Sequence, residues 1–120
     1  MDDRVIGIGG IFFKARNKDR LLAWYREHLG VDVQDWGGAM FAGDGQTVWT
    51  VFKHDSDYFG PGEQRYMINY RVSNLDRILA RLRAEGVTVD ARTDESEFGK
   101  FGWIVDPEGN RVELWETTGG

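Results

Sequence analysis

The chain has 120 residues, 41% of them apolar and 29% charged, a composition that fits one globular domain. Cysteine is absent and histidine occurs only twice, which excludes disulfides, thiolate nucleophiles and sulfur-ligated zinc. A net charge of −5 speaks against nucleic acid or an anionic membrane as partner, because phosphate binding needs surplus cations.

The opening MDDRVIGIGG lacks the basic-then-apolar layout of a signal peptide, and no apolar run later in the chain would span a membrane. A cytoplasmic location is expected. Sixteen glycines against two prolines suggest short strands joined by tight turns. The first strand is predicted over residues 8–16 and a helix follows. Leu21, Leu22, Tyr25 and Leu29 fall on one face of that helix, with Asn17 as N-cap and Gly30 as the residue that ends it. Three strands are then predicted, over 31–36, 39–42 and 47–53, with turns at Gly37-Gly38 and Asp44-Gly45. Residues 54–63, HDSDYFGPGE, read as a linker.

The pattern repeats after it. A strand over 64–72 leads into a helix with Leu75, Ile78, Leu79 and Leu82 on one face, Ser73 and Asp76 resembling a capping box, and Gly86 at its end. Strands over 87–93, 100–105 and 111–116 close the chain, the last two joined by the turn Asp106-Pro107-Glu108-Gly109-Asn110. Asp19, Arg20, Leu22, Ala23 and Arg26 recur 57 residues later as Asp76, Arg77, Leu79, Ala80 and Arg83. Gly30, Val31 and Val33 recur as Gly86, Val87 and Val89. The expectation is an α+β fold in a single domain over 1–120, built of two tandem β-α-β-β-β modules at about 5–54 and 64–117.

A tandem unit of this kind ending in FGWIVDPEGNRVELWE resembles the vicinal oxygen chelate superfamily, which includes glyoxalases, extradiol dioxygenases and bleomycin resistance proteins. The segments IGGIFFKARNKDRLLAWYREHLGV and YMINYRVSNLDRILARLRAEGV extend the resemblance over nearly the whole chain. It implies curled mixed sheets forming an open cleft, with metal ligands on the first strand of each half and on the last strand. The ligand positions fall on Gly10, Met67, Thr50 and Glu113. Glycine has no donor side chain, and a thioether suits the divalent metals of these enzymes poorly. Only Glu113 keeps the pattern. His28 reads as a helix-end residue and His54 as a strand-end one. No metal and no other cofactor is therefore expected.

Alternation along strands places Phe12 and Lys14 with Gly10, Asn69 and Arg71 with Met67, and Arg111 and Trp115 with Glu113. Thr50 lies on the fourth strand, and Trp103 joins the group from the seventh. The expected ligand-binding set is Phe12, Lys14, Thr50, Met67, Asn69, Arg71, Trp103, Arg111 and Trp115, with Glu113 as the candidate catalytic group. Lys14 falls where, by the resemblance, some glyoxalases carry an arginine on the substrate carboxylate. The pieces GIGG and GGAMFAGDG lack the features of phosphate loops. The expected function is binding of a small anionic or polar aromatic molecule by a homodimer. The alternatives are a lyase or isomerase using Glu113 for proton transfer, and a structural dimer module.

Overall fold

Strands and helices follow one another as β1 (Val5–Ala15), α1 (Lys18–Leu29), β2 (Gly38–Ala42), β3 (Gln46–Lys53), β4 (Tyr66–Val72), α2 (Leu75–Ala84), β5 (Thr88–Ser96), β6 (Gly99–Val105) and β7 (Arg111–Thr117). This is a computed structural model, and it describes residues 4–42 and 45–118. The fold is mixed α+β. Contacts divide the chain into two units, one of Gly10–Met67 and one of Ile68–Gly120 with Met1–Gly9. Among the described residues no helix is long and apolar enough to cross a membrane.

In the Gly10–Met67 unit the strand order is β2-β3-β1. β3 runs parallel to β1, with Phe12 opposite Thr50 and Lys14 opposite Phe52, and antiparallel to β2. Helix α1 is capped by the Asn17 side chain, which accepts from the Arg20 amide at 3.1 Å, and it ends at Gly30, whose φ of 65° is left-handed. Tyr25 docks the helix edge-on against Trp49 at 5.0 Å, and Phe13 closes the cluster at 5.4 Å from Trp49. Leu29, expected on the buried face, is 64% exposed because it lies one turn beyond Tyr25.

Two further expectations are corrected here. Residues 31–36 form no strand: the Val33 amide donates to the Val31 carbonyl at 2.9 Å and the Gln34 amide to the Gly38 carbonyl at 2.8 Å. Those amides serve local turns and are not available to a ladder. Segment 54–63 is not a bare linker, because Phe59 is buried and packs edge-on against Phe52 at 5.0 Å, while Tyr58 stacks on the same ring. The expected turn at Asp44-Gly45 lies partly outside the described residues.

In the other unit the order is β4-β7-β6-β5. β7 pairs parallel with β4 and antiparallel with β6, and β5 pairs antiparallel with β6 across an irregularity between Val89 and Thr93. Helix α2 covers one face. Leu75, Ile78 and Leu79 pack there against Val72 and Leu114, each contributing about 1.5–3 kcal/mol of burial. Gly102 lets the helix approach closely, since a Cβ there would lie 2.9 Å from a Leu79 methyl. The N-cap is Asn74, accepting from the Arg77 amide at 3.0 Å, and not Ser73 as the capping-box reading had it; Asp76 instead pairs with Lys100. The Asp106–Asn110 turn forms as expected: Asp106 Oδ1 accepts the amides of Glu108 and Asn110, both at 2.9 Å, and Gly109 takes φ 87°. Those contacts, the Asn110 amide first, hold the Asp106 carboxyl below its usual pKa.

Candidate ligand-binding site

The face of β4-β7-β6 opposite α2 carries the polar residues singled out in the sequence. Register places Asn69 of β4 and Trp103 of β6 on either side of Glu113 of β7. All three are buried, at 1%, 0% and 1% exposure for Asn69, Trp103 and Glu113. Glu113 Oε1 accepts from Asn69 Nδ2 at 2.6 Å, and Oε2 accepts from the Trp103 indole N–H at 2.8 Å. The carboxylate fixes the orientation of the Asn69 amide, because a flipped amide would set oxygen against oxygen. In consequence Asn69 Oδ1 is buried without a hydrogen-bond partner among the described residues. It lies over Gly9, where a Cβ would come within 2.1 Å of it and 2.9 Å of the Trp115 ring. Only glycine fits beneath this amide.

Cations sit over the row. The guanidinium groups of Arg92 and Arg111 each lie 5.2 Å from the Trp103 ring centroid. Arg111 pairs with Asp90 at 3.0 Å, and Arg92 with Asp94 at 2.8 Å. The Arg92 backbone amide, and then the Arg111 side chain, hold the Asp90 carboxyl below its ordinary pKa of 3.8. Arg71 donates to the Ile8 carbonyl. Phe101 and Trp115 stack with centroids 5.6 Å apart, and the Trp115 indole N–H donates to the Phe98 carbonyl at 2.9 Å. Sequence reasoning missed Asp90, Arg92 and Asp94. Their signal was charge at every second position of a strand, D-x-R-x-D.

The remaining candidates belong to the Gly10–Met67 unit. Phe12 is buried and tilts against Phe52 at 5.6 Å, and the Lys14 ammonium lies 5.1 Å from the Phe59 ring. Thr50 donates its hydroxyl to the Gly37 carbonyl at 3.2 Å. Met67 is buried at 1% exposure.

The residues at the expected ligand positions do not fit a divalent metal ion. At Gly10 a Cβ would come within 2.8 Å of the Val48 main-chain oxygen, so the backbone closes off any side chain there. Met67 offers only a thioether and Thr50 gives its hydroxyl to a carbonyl, which leaves Glu113 as the one carboxylate of the set. His28 lies against the Trp24 ring on α1 at 5.2 Å, and His54 is exposed just after β3. No group of three or more His, Cys, Asp or Glu side chains among the described residues is placed to hold a metal.

The glyoxalase-like domain family model matches residues 10–115. Among solved structures, methylmalonyl-CoA epimerase from Mycobacterium tuberculosis is similar at 25% identity and TM-score 0.63, covering 95% of this chain and 89% of that one. Streptomyces coelicolor methylmalonyl-CoA epimerase in complex with 2-nitronate-propionyl-CoA matches at 17% identity and TM-score 0.70, covering 96% and 99%. A structure described as NAD-dependent benzaldehyde dehydrogenase from Legionella pneumophila matches at 15% identity and TM-score 0.63, covering 91% and 98%. A search of curated protein sequences gives no match.

Proposed function

The chain belongs to the glyoxalase-like domain family, within the vicinal oxygen chelate superfamily, and from that premise we propose that it binds a small anionic or polar aromatic molecule without a divalent metal ion. The observation that carries this reading is the occupation of both Glu113 oxygens by the neutral donors Asn69 and Trp103. A buried carboxylate needs partners, and these two N–H groups hold and orient it from the neighbouring strands. Lys14, Arg71 and Arg111 are the cations of the proposed ligand set, Thr50 and Asn69 its neutral polar members, and Phe12, Met67, Trp103 and Trp115 its apolar ones. The acyl thioester held by the Streptomyces epimerase is itself an anionic small molecule and supports the ligand class. Proton transfer by Glu113 is the weaker reading, because the carboxylate is 1% exposed and held by Asn69 and Trp103, so a substrate proton would have to be brought to a buried group. The proposal retains a cytoplasmic homodimer.

The test is thermal unfolding of untagged, chelator-treated protein against small carboxylates, phenols and acyl-CoA thioesters. One class should stabilise the protein in the presence of chelator, by about 2.7 kcal/mol at a ligand concentration a hundredfold above Kd. Stabilisation that appears only after Fe, Mn, Ni or Zn is added, or stoichiometric metal lost on Glu113→Gln, would overturn the reading.

A further inference from the structure

A cavity of about 570 Å³ lies wholly within the Gly10–Met67 unit, between α1, residues 33–37 and the end of β3. Its size is that of a small-molecule site. Lys18, Leu22 and Arg26 line it from successive turns of one helix stripe, and Lys53 lines it from the strand end. Leu22 is buried beneath them. Among the described residues the side chains of Lys18, Arg26 and Lys53 have no hydrogen-bond or ion-pair partner. Asp19 and Asp35 line the same cavity, which leaves it one positive charge in excess (three cations less two carboxylates) on a chain of net charge −5.

The wall opposite the helix is a built one. Trp36 is 50% exposed, and its ring edge rests on Gly38, where a Cβ would come within 2.4 Å of it. The turn that presents the indole is closed by Gly37 N–H to Gln34 carbonyl at 3.0 Å and Gln34 N–H to Gly38 carbonyl at 2.8 Å. The Gly37 carbonyl in turn accepts from the Val51 amide and the Thr50 hydroxyl, both at 3.2 Å. Gly37 has φ 93°, and a Cβ there would come within 2.8 Å of Lys18 Nζ. Glycine at this position therefore lets the ammonium lie against the turn, beside the indole.

We propose that this cavity binds an organic phosphate bearing a planar ring, with a nucleoside monophosphate as the representative ligand. A phosphate monoester carries nearly two negative charges at neutral pH and three acceptor oxygens, which suits three cations that form no hydrogen bond or ion pair among the described residues. The half-exposed indole offers a stacking surface for the ring. Asp19 and Asp35 are acceptors for the hydroxyl and amino hydrogens of such a molecule.

The test is titration of the full chain with AMP, adenosine and inorganic phosphate, followed by calorimetry and tryptophan fluorescence. AMP should bind about tenfold or more tightly than adenosine or phosphate alone, and its affinity should fall as salt is raised from about 0.05 to 0.2 M. Lys18→Gln with Lys53→Gln should weaken AMP about tenfold and leave adenosine unchanged. Trp36→Phe should abolish the fluorescence change, and Trp36→Ala should weaken AMP without affecting phosphate. All these residues are on the surface, so coincident melting curves will show that the variants fold. Equal binding of AMP and adenosine, no binding of any probe at millimolar concentration, or a lysine variant that binds AMP normally would each overturn the proposal.

Discussion

Replacing Glu113 by Leu and by Gln separates two explanations of the buried row. Leucine removes the acceptor from two buried donors, Asn69 Nδ2 and the Trp103 indole N–H, which now bond it at 2.6 and 2.8 Å. A buried donor left without its partner costs about 1–3 kcal/mol, so the substitution should cost about 2–6 kcal/mol. Glutamine keeps one acceptor oxygen for Trp103. Its amide hydrogens then face Asn69, which can flip and offer the oxygen that has no partner in the native protein. Both contacts survive as neutral hydrogen bonds, and the loss is the difference between charge-assisted and neutral bonds, about 1–3 kcal/mol for the two. At about 3–6 °C per kcal/mol for a domain of this size, Glu113→Leu should lower Tm by about 6–36 °C, and Glu113→Gln by about half as much. Urea unfolding with unchanged m-value would confirm that folded-state stability is being read. Equal losses for the two variants would refute the acceptor argument and make the charge itself the stabilising element. A leucine variant as stable as the native chain would refute any role for the row.

Gly10→His, the single change that would restore a first-strand ligand, should fail to recruit metal and should destabilise the chain by about 1–3 kcal/mol or more, because even the Cβ meets the Val48 carbonyl at 2.8 Å. Stoichiometric Fe, Mn or Zn in a variant that melts like the native protein would contradict this. Asp90 has a depressed folded-state pKa, so its stabilisation is complete above the ordinary value of 3.8 and is lost as pH falls through the lower folded value. Asp90→Asn should therefore lower stability at pH 7 and flatten the acid limb of the stability curve. With the Asp90 side chain 32% exposed, the effect should stay at or below about 1 kcal/mol, and an unchanged acid limb would count against the Arg111 pairing. Gly9→Ala should be more damaging than an ordinary strand substitution, since its Cβ collides with the Asn69 amide oxygen at 2.1 Å; a melting curve within 1–2 °C of native, where about 1 kcal/mol would already show, would refute the packing reading.

The helices and most strands were legible because their signals are local. Asn17, Asn74, Gly30 and the Asp106–Asn110 turn each act on hydrogen bonds within a few residues. The failures share one cause. Residues 31–36 have β-branched alternation but no ladder partner for their amides, and Phe59 is buried against Phe52 of β3 and Lys14 of β1, contacts no local pattern announces. In the site, period-two alternation placed Asn69, Arg71, Arg111, Glu113 and Trp115 on common faces of their strands. It did not say that register would set Asn69 and Trp103 beside Glu113, because register depends on pairing between strands. For the same reason the partners of Arg111 and Arg71 could not be read from the sequence. At Gly10 the sequence shows only that a donor side chain is lacking; packing adds that the neighbouring Val48 carbonyl leaves no room for one.

A glutamate buried at 1% exposure requires an account of what holds its charge. Two N–H donors from the strands on either side do so, and they reach it because β4 and β6 both set a residue directly opposite Glu113. The arrangement has a cost visible in the same row, the buried oxygen of Asn69, which follows from the amide having turned its other end to the carboxylate. Leaving that acceptor buried over Gly9 without a donor costs about 1–3 kcal/mol. The row accepts this cost because the other end of the same amide, with the Trp103 indole, holds a buried carboxylate in place.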